Sequence, residues 1–186
     1  MDNMLAMILA GGRGKRMDII CQHRAKPALT FAGSARVIDF TLSNCIHSLV
    51  SGIAVLTDYQ RNGMAGYLKR WATNNGGAVN FHVLEPRNGP YLGTADAVYQ
   101  NIDFLEKDVS DLVKVLAGDH IYKMDYQRIA AYHRQTGADA TVAVASVPLE
   151  DAQRFGVATV DGRVKITGFE EKPEAPRSTL VSMGIY

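Results

Sequence analysis

Cysteine is scarce, with only Cys21 and Cys45 in 186 residues. Two such thiols exclude a disulfide framework and a cysteine-based metal cluster, and they read as ordinary buried or inert thiols of a cytosolic protein. Long apolar runs are also missing. None approaches the roughly 20 residues of a membrane span, and no basic stretch followed by a long apolar one opens the chain. Neither a membrane helix nor a signal peptide is read, and cytoplasm is the expected compartment. Charge of either sign is nearly balanced, at a net +1. That balance gives no bulk attraction for nucleic acid or an anionic membrane, and neither is expected as a partner. A Gly-x-Ser-x-Gly elbow, an HExxH pair, a Walker loop and a Gly-x-Gly-x-x-Gly fingerprint are all absent. No internal repeat, low-complexity segment or linker interrupts the chain.

What is present is ordinary in bulk: 47% apolar and 21% charged residues, values of a globular chain long enough for one good-sized core. The informative stretch is Met7-Ile8-Leu9-Ala10-Gly11-Gly12-Arg13-Gly14-Lys15-Arg16. An apolar run from Met4 to Leu9 fits a buried strand. The glycines after it leave the backbone free of Cβ atoms, so successive amide N–H groups can converge on an anion. Arg13, Lys15 and Arg16 add positive charge where phosphates would lie. By composition alone the same run also reads as a surface turn with solvated charges. Cations cluster further in the first forty positions, at His23, Arg24, Lys26 and Arg36, which favours a local anion site over a generally basic protein.

Hydrophobic periodicity predicts alternating elements. Met17 to Ala35 is irregular, and Pro27 biases Lys26 toward extended backbone, from which it could reach back to the glycine loop. A helix over Arg36–Val50 is followed by a strand at Ile53–Leu56, a helix over Gly63–Trp71, a turn at Asn74–Gly77 and a strand at Val79–Leu84. A loop to Leu92 leads into one helix from Gly93 to about Leu105, with Thr94 as N-cap. Leu112–Leu116 is the next buried strand. A helix over Tyr126–Gln135, capped by Asp125, and a strand at Ala140–Val147 follow. Gly156–Val160 and Val164–Phe169 then form a hairpin around Asp161-Gly162. Strands alternating with helices predict an α/β fold: a doubly wound, mostly parallel sheet with a β-hairpin extension near the C-terminus. In such sheets ligands bind beyond the carboxyl ends of strands. The glycine loop, Tyr59-Gln60 and Gly118-Asp119 stand there, as does the hairpin exit Glu170-Glu171-Lys172-Pro173.

Asp119 closes an apolar strand. A carboxylate in that position can hold Mg²⁺, which prefers oxygen ligands; it can equally be a turn or cap residue. His120 beside it reads as a hydrogen-bonded structural histidine. Cations and a carboxylate, without a nucleophile arrangement, suit phosphoryl-type transfer, in which positioning and charge neutralisation carry the reaction.

Several runs occur in order along the chain: Leu9-Ala10-Gly11-Gly12-Arg13-Gly14-Lys15-Arg16, Arg24-Ala25-Lys26-Pro27-Ala28, Ile38-Asp39-Phe40-Thr41-Leu42-Ser43-Asn44-Cys45, Gly93-Thr94-Ala95-Asp96-Ala97, Gly118-Asp119-His120-Ile121-Tyr122-Lys123-Met124-Asp125-Tyr126, Glu171-Lys172-Pro173 and Ser182-Met183-Gly184-Ile185-Tyr186. Together they make the chain resemble the bacterial glucose-1-phosphate adenylyltransferases over essentially its whole length. The glycine loop and Glu-Lys-Pro are shared across sugar nucleotidyltransferases; the Ser-Asn-Cys, Gly-Thr-Ala-Asp-Ala and Gly-Asp-His-Ile-Tyr-Lys runs are more specific to the ADP-glucose branch.

The resemblance implies a Rossmann-like, GT-A-like nucleotidyltransferase domain converting ATP and α-glucose 1-phosphate to ADP-glucose and pyrophosphate with Mg²⁺, in glycogen biosynthesis. It implies that Gly11, Gly12, Arg13 and Gly14 cradle the triphosphate and that Arg16 and Lys26 neutralise the leaving group. Gln60, Gly93 and Thr94 would surround the base, and Asp119 would ligate the metal. Tyr91, Gly156, Glu171, Lys172 and Ser182 would bind glucose 1-phosphate. The family continues past this point with a second Mg²⁺-binding Asp and a C-terminal β-helix that helps build a tetramer. The expectation is therefore one incomplete catalytic domain over 1–186, poorly active or self-associating, and a homo-oligomer at full length. The alternatives are a non-catalytic regulatory or assembly subunit of the same family, or another sugar-1-phosphate nucleotidyltransferase. Leu92 stands where many enterobacterial members of the family carry Arg.

Overall fold

Met4–Leu9 (β1) is buried along nearly its whole length, which requires a partner strand on each side and cover on both faces. The computed structural model, which describes residues 3–11, 25–31, 33–58, 61–75 and 79–186, supplies the partners. Gly52–Leu56 (β4) and Leu112–Ala117 (β6) flank β1, and Asn80–Leu84 (β5) lies outside β4. The order is β5-β4-β1-β6 and every pairing is parallel. The chain winds outward from β1 to β4 and β5, then returns to the other side of β1 as β6. The reversal falls between β1 and β6, the place where open α/β sheets bind ligands.

Strand alternation sends Leu5 and Met7 to one face, where they join Ala54, Leu56 and Ala97 in a buried cluster with Leu84, Phe104 and Leu105 packed against it. The opposite face carries Met4, Ala6 and Ile8, equally buried. The helix Val37–His47 (α1) contributes buried Ile38, Leu42 and Cys45. Burial pushes the Cys45 thiol up to about 12, against the opposing pull of the Lys114 charge on β6.

The chain divides into two compact units, Met1–Tyr132 and His133–Tyr186. The first holds the parallel sheet, a small ladder of Thr30–Phe31 (β2) with Ala35–Arg36 (β3), α1, and the helices Arg61–Asn75 (α2), Thr94–Tyr99 (α3) and Ile102–Lys107 (α4). The helix Tyr126–Thr136 (α5) begins in the first unit and ends in the second. The second unit holds an antiparallel sheet of Val144–Ser146 (β7), Gly156–Val160 (β8), Ile166–Glu171 (β9) and Leu180–Ser182 (β10), in the order β7-β10-β8-β9, with the short helix Leu149–Ala152 (α6). The predicted architecture, a parallel sheet plus a hairpin extension, is therefore present. The predicted strand Ala140–Val147 is shorter and belongs to the antiparallel sheet.

Four local readings differ. The helix predicted over Arg36–Val50 stops at His47, because Leu49 turns left-handed at φ 53 while Leu49 N donates to Ile46 O and Val50 N to Cys45 O. This is a Schellman closure with leucine where glycine is usual. The helix predicted over Gly63–Trp71 extends to Asn75 and takes in the start of the predicted turn. The single helix predicted from Gly93 breaks between Tyr99 and Ile102. Asn101 is buried there, and its side-chain Nδ2 donates to Ala97 O at 2.9 Å, competing with the helix for its own carbonyl. Gly93, not Thr94, occupies the N-cap of α3. Asp125 caps α5 as predicted, its Oδ1 accepting from Gln127 N at 2.9 Å. The hairpin turn falls at Asp161-Gly162-Arg163-Val164 as predicted, closed by Val164 N donating to Asp161 O at 3.0 Å, with Val164 at φ 64. The Asp161 carboxylate accepts from both Arg163 N and Lys165 N and folds the turn around itself.

Candidate functional site at the carboxyl ends of the strands

Three strand ends converge on one cavity of about 290 Å³. Leu9 and Gly11 follow β1, Leu56 and Asp58 follow β4, and Ala117 and Asp119 follow β6. Lys26 and Pro27 enter from a 3-10 turn, Lys26–Ala28, and Tyr91, Gly93, Thr94 and Ala97 from the start of α3 and the loop before it. Residues far apart in sequence meet here because parallel strands all point their carboxyl ends the same way.

Each wall has a local cause. Pro27 near the head of the 3-10 turn fixes the chain as it leaves Lys26, and Ala28 N and Leu29 N close the turn on Ala25 O and Lys26 O. The Lys26 ammonium thereby reaches Asp119, donating from Nζ to Oδ2 at 2.9 Å, with both side chains about a third exposed. His120 Nε2 stands 3.5 Å from the other Asp119 oxygen. A Cβ at Gly11 would lie 3.1 Å from the Asp58 Cβ and 3.6 Å from the Tyr91 ring, so glycine permits this close approach. Asp58 Oδ2 accepts from Tyr91 N at 3.3 Å, and Asn101 Nδ2 donates to the Tyr91 hydroxyl at 3.0 Å. Asp96 in the Gly-Thr-Ala-Asp run accepts from Leu92 N and Gln100 Nε2, fastening the loop to α3.

Six of the residues singled out from sequence thus line one cavity: Gly11, Lys26, Tyr91, Gly93, Thr94 and Asp119. Gly12, Arg13, Gly14, Arg16 and Gln60 lie outside the described residues. Gly156, Glu171, Lys172 and Ser182 belong to the second unit. There Gly156 pairs with Glu171 across β8 and β9, Lys172 N donates to Phe155 O at 3.0 Å, and the Lys172 ammonium pairs with the Glu171 carboxylate. A Cβ at Gly156 would come within 2.5 Å of the Phe169 ring, so any larger residue would have to push that ring aside. Ser182 lies on β10, next to Val181, which pairs with Val157; its Oγ accepts from Gly184 N at 3.1 Å. Sequence reasoning missed Asp58 and Asn101. Asp58 carried the same signal as Asp119, a carboxylate just past a buried strand; a polar side chain such as Asn101 inside a predicted helix gives no comparable cue.

The oxygen donors Asp58 and Asp119 line the same cavity, while no group of three or more His, Cys, Asp or Glu gathers among the described residues. That set is too sparse for a protein-only metal cage. It fits Mg²⁺, which takes one or two carboxylates together with phosphate oxygens of a ligand.

The nucleotidyl transferase family model matches residues 5–186. The chain belongs to this family. Proteins named glucose-1-phosphate adenylyltransferase are similar to it across its length: that of Clostridium novyi is 47% identical over 98% of this chain and 50% of its own length, and that of Thermotoga neapolitana is 46% identical over 100% of this chain and 46% of its own. The chain spans about half the length of these curated relatives. A crystal structure from Bacillus anthracis, of a protein described as a glucose-1-phosphate thymidylyltransferase in complex with a sucrose, superposes with a TM-score of 0.82 at 28% identity and covers 98% of this chain and 70% of that one. No helix among the described residues of this nucleotidyl transferase is long and apolar enough to cross a membrane.

Proposed function

We propose that this chain carries the nucleotide-binding and sugar-phosphate-binding part of a glucose-1-phosphate adenylyltransferase. In the reaction ATP and α-glucose 1-phosphate give ADP-glucose and pyrophosphate, in cytoplasmic glycogen synthesis. The observation that carries the reading is the cavity at the sheet's reversal point, where Gly11, Lys26, Tyr91, Gly93, Thr94 and Asp119 come together. The relatives at 46–47% identity support the choice of reaction.

In this reading the glycine run from Gly11 to Gly14, with Arg13, offers backbone amides and charge to the triphosphate. The apolar wall of Leu9, Leu56 and Ala97 and the α3 start at Gly93 and Thr94 receive the base, with Gln60 as a further partner. Lys26 now holds Asp119. On binding it turns to phosphate oxygens and, with Arg16, steadies the departing pyrophosphate. Asp119, with Asp58 lining the same cavity, would hold Mg²⁺, which when bound would supply neutralisation of phosphoryl charge. Glu171 accepts from sugar hydroxyls, Lys172 neutralises the sugar phosphate, and Tyr91, Gly156 and Ser182 complete the sugar-phosphate contacts. The sugar phosphate oxygen attacks the α-phosphorus in line and pyrophosphate leaves. At full length the protein is a homo-oligomer.

Pyrophosphate release is measured with ATP, glucose 1-phosphate and Mg²⁺, omitting each in turn and replacing ATP by dTTP. Release that needs all three and prefers ATP is expected. Absence of release, or equal release with dTTP, would overturn the assignment.

A further inference from the structure

The Ser-Asn-Cys run on α1 has no part in the cavity, yet α1 buries polar side chains along one stripe. Thr41 and Ser48 are fully buried and Asn44 is 7% exposed. Their spacing puts them on one helix face. Buried polar groups are costly without partners, and the partners here are all on one segment. Thr41 Oγ1 donates to Ala117 O at 3.1 Å. Asn44 Nδ2 donates to Tyr122 O at 3.1 Å and its Oδ1 accepts from Met124 N at 3.3 Å. Ser48 Oγ accepts from Tyr126 N at 2.8 Å, at the start of α5. The phenols of Tyr122 and Tyr126 stand 2.5 Å apart and bond each other.

The segment from Gly118 to Asp125 has neither helix nor strand. Its carbonyls and amides must find partners elsewhere; β1 takes Gly118 N, and Asn44 on α1 takes Tyr122 O and Met124 N. The fastened points, Ala117 on one side and Tyr122 and Met124 on the other, bracket Asp119, the carboxylate in the cavity.

We infer that Thr41 and Asn44 are positioning residues. Through the backbone of Ala117, Tyr122 and Met124 they hold the Asp119 carboxylate where it meets Lys26 and a nucleotide-bound cation. The inference rests on the proposed nucleotide reading for its functional half and on the hydrogen bonds alone for its structural half. Ser48 is the internal comparison: it is equally buried at the C-cap of α1, but it fastens the start of α5 rather than the turn at Asp119.

The test uses the full chain with Thr41→Val, which keeps shape and removes the hydroxyl, Thr41→Ser, which restores it, Asn44→Leu, and Ser48→Ala. Two quantities are measured: amide hydrogen exchange at Gly118 to Tyr122, and ATP affinity with and without Mg²⁺. Residues that orient metal ligands typically matter by about 10–100-fold. Thr41→Val and Asn44→Leu are expected to speed exchange at Gly118 to Tyr122. They should weaken ATP binding about tenfold in Mg²⁺ while leaving Mg²⁺-free affinity within about twofold. Thr41→Ser should restore both, and Ser48→Ala should change neither. Unchanged exchange in Thr41→Val, or an equal effect of Ser48→Ala, overturns the inference. If Asn44→Leu fails to fold, the Thr41 pair still decides. Wild-type ATP affinity that ignores Mg²⁺ counts against the nucleotide reading, and exchange then decides the structural half alone.

Discussion

Replacing Gly118 by alanine should damage the sheet at the point where β6 hands over to Asp119. A Cβ at Gly118 would lie 2.9 Å from Leu9 O and 3.0 Å from Ile8 Cγ2. Carbon–oxygen contacts begin near 3.3 Å, so the shortfall is roughly 0.4 Å. Gly118 is not among the residues with positive φ, so the penalty is steric and not one of backbone conformation. Both opposing atoms belong to β1, which is held between β4 and β6 and cannot yield. The end of β6 must move instead, stretching the Gly118 N to Leu9 O bond, now 3.0 Å. Overpacking of this kind costs about 1–3 kcal/mol, offset by roughly 0.4–1 kcal/mol from the stiffer unfolded chain. A net loss of about 1–2 kcal/mol lowers the midpoint of a chain this size by roughly 2–8 °C. Gly93→Ala is the control, because its Cβ meets nothing within 4 Å. Thermal unfolding of both variants by circular dichroism decides. An unchanged midpoint for Gly118→Ala, or an equal drop for Gly93→Ala, refutes the reasoning.

Three further outcomes follow from local geometry. Leu49→Gly removes a left-handed leucine at φ 53 that is 57% exposed; thermal unfolding should show a gain of up to about 1 kcal/mol, and a loss would contradict it. Cys45 stays protonated in the fold up to about 12 while the unfolded thiol ionises near 9.0. The stability it confers is therefore complete below pH 9 and lost as pH rises toward 12. Denaturant titrations should show the wild type losing stability more steeply than Cys45→Ala in that window, and parallel curves would contradict this. Backbone amides of Lys165 and Arg163 hold the Asp161 carboxyl below its usual range, so its contribution is present above the ordinary carboxylate value and fades as pH falls through the lowered one. Asp161→Ala should speed amide exchange at Arg163 and Lys165 at neutral pH, whereas Asp161→Asn should do so less; equal rates in all three proteins would refute the turn.

The parallel sheet was legible because β1 and β4 are short, continuous apolar runs and β6 is nearly so, and all three lead into residues no strand wants: Gly11, Asp58, Gly118-Asp119. The same punctuation marked most of the cavity. What periodicity could not show were events decided by a single side chain against the backbone. Asn101 breaks a helix by capturing Ala97 O. Leu49 accepts a left-handed turn because the Val50 N to Cys45 O bond and the burial of Val50 hold it there. Val164, a β-branched residue and not a glycine, takes the left-handed position that closes the hairpin turn, where Asp161 gathers two amides. The stripe of Thr41, Asn44 and Ser48 was visible only as polar interruptions of an apolar helix, since its partners lie far along the chain.

The central claim is that nucleotide binds at the carboxyl ends of β1, β4 and β6. It is tested most directly by titrating ATP and Mg²⁺ into ¹⁵N-labelled protein and following backbone amide shifts. The account predicts the largest changes at Gly11, Gly93, Thr94, Gly118 and Asp119, reduced in Asp119→Asn when Mg²⁺ is present. Changes confined to other surfaces, or none at millimolar ATP, would contradict it.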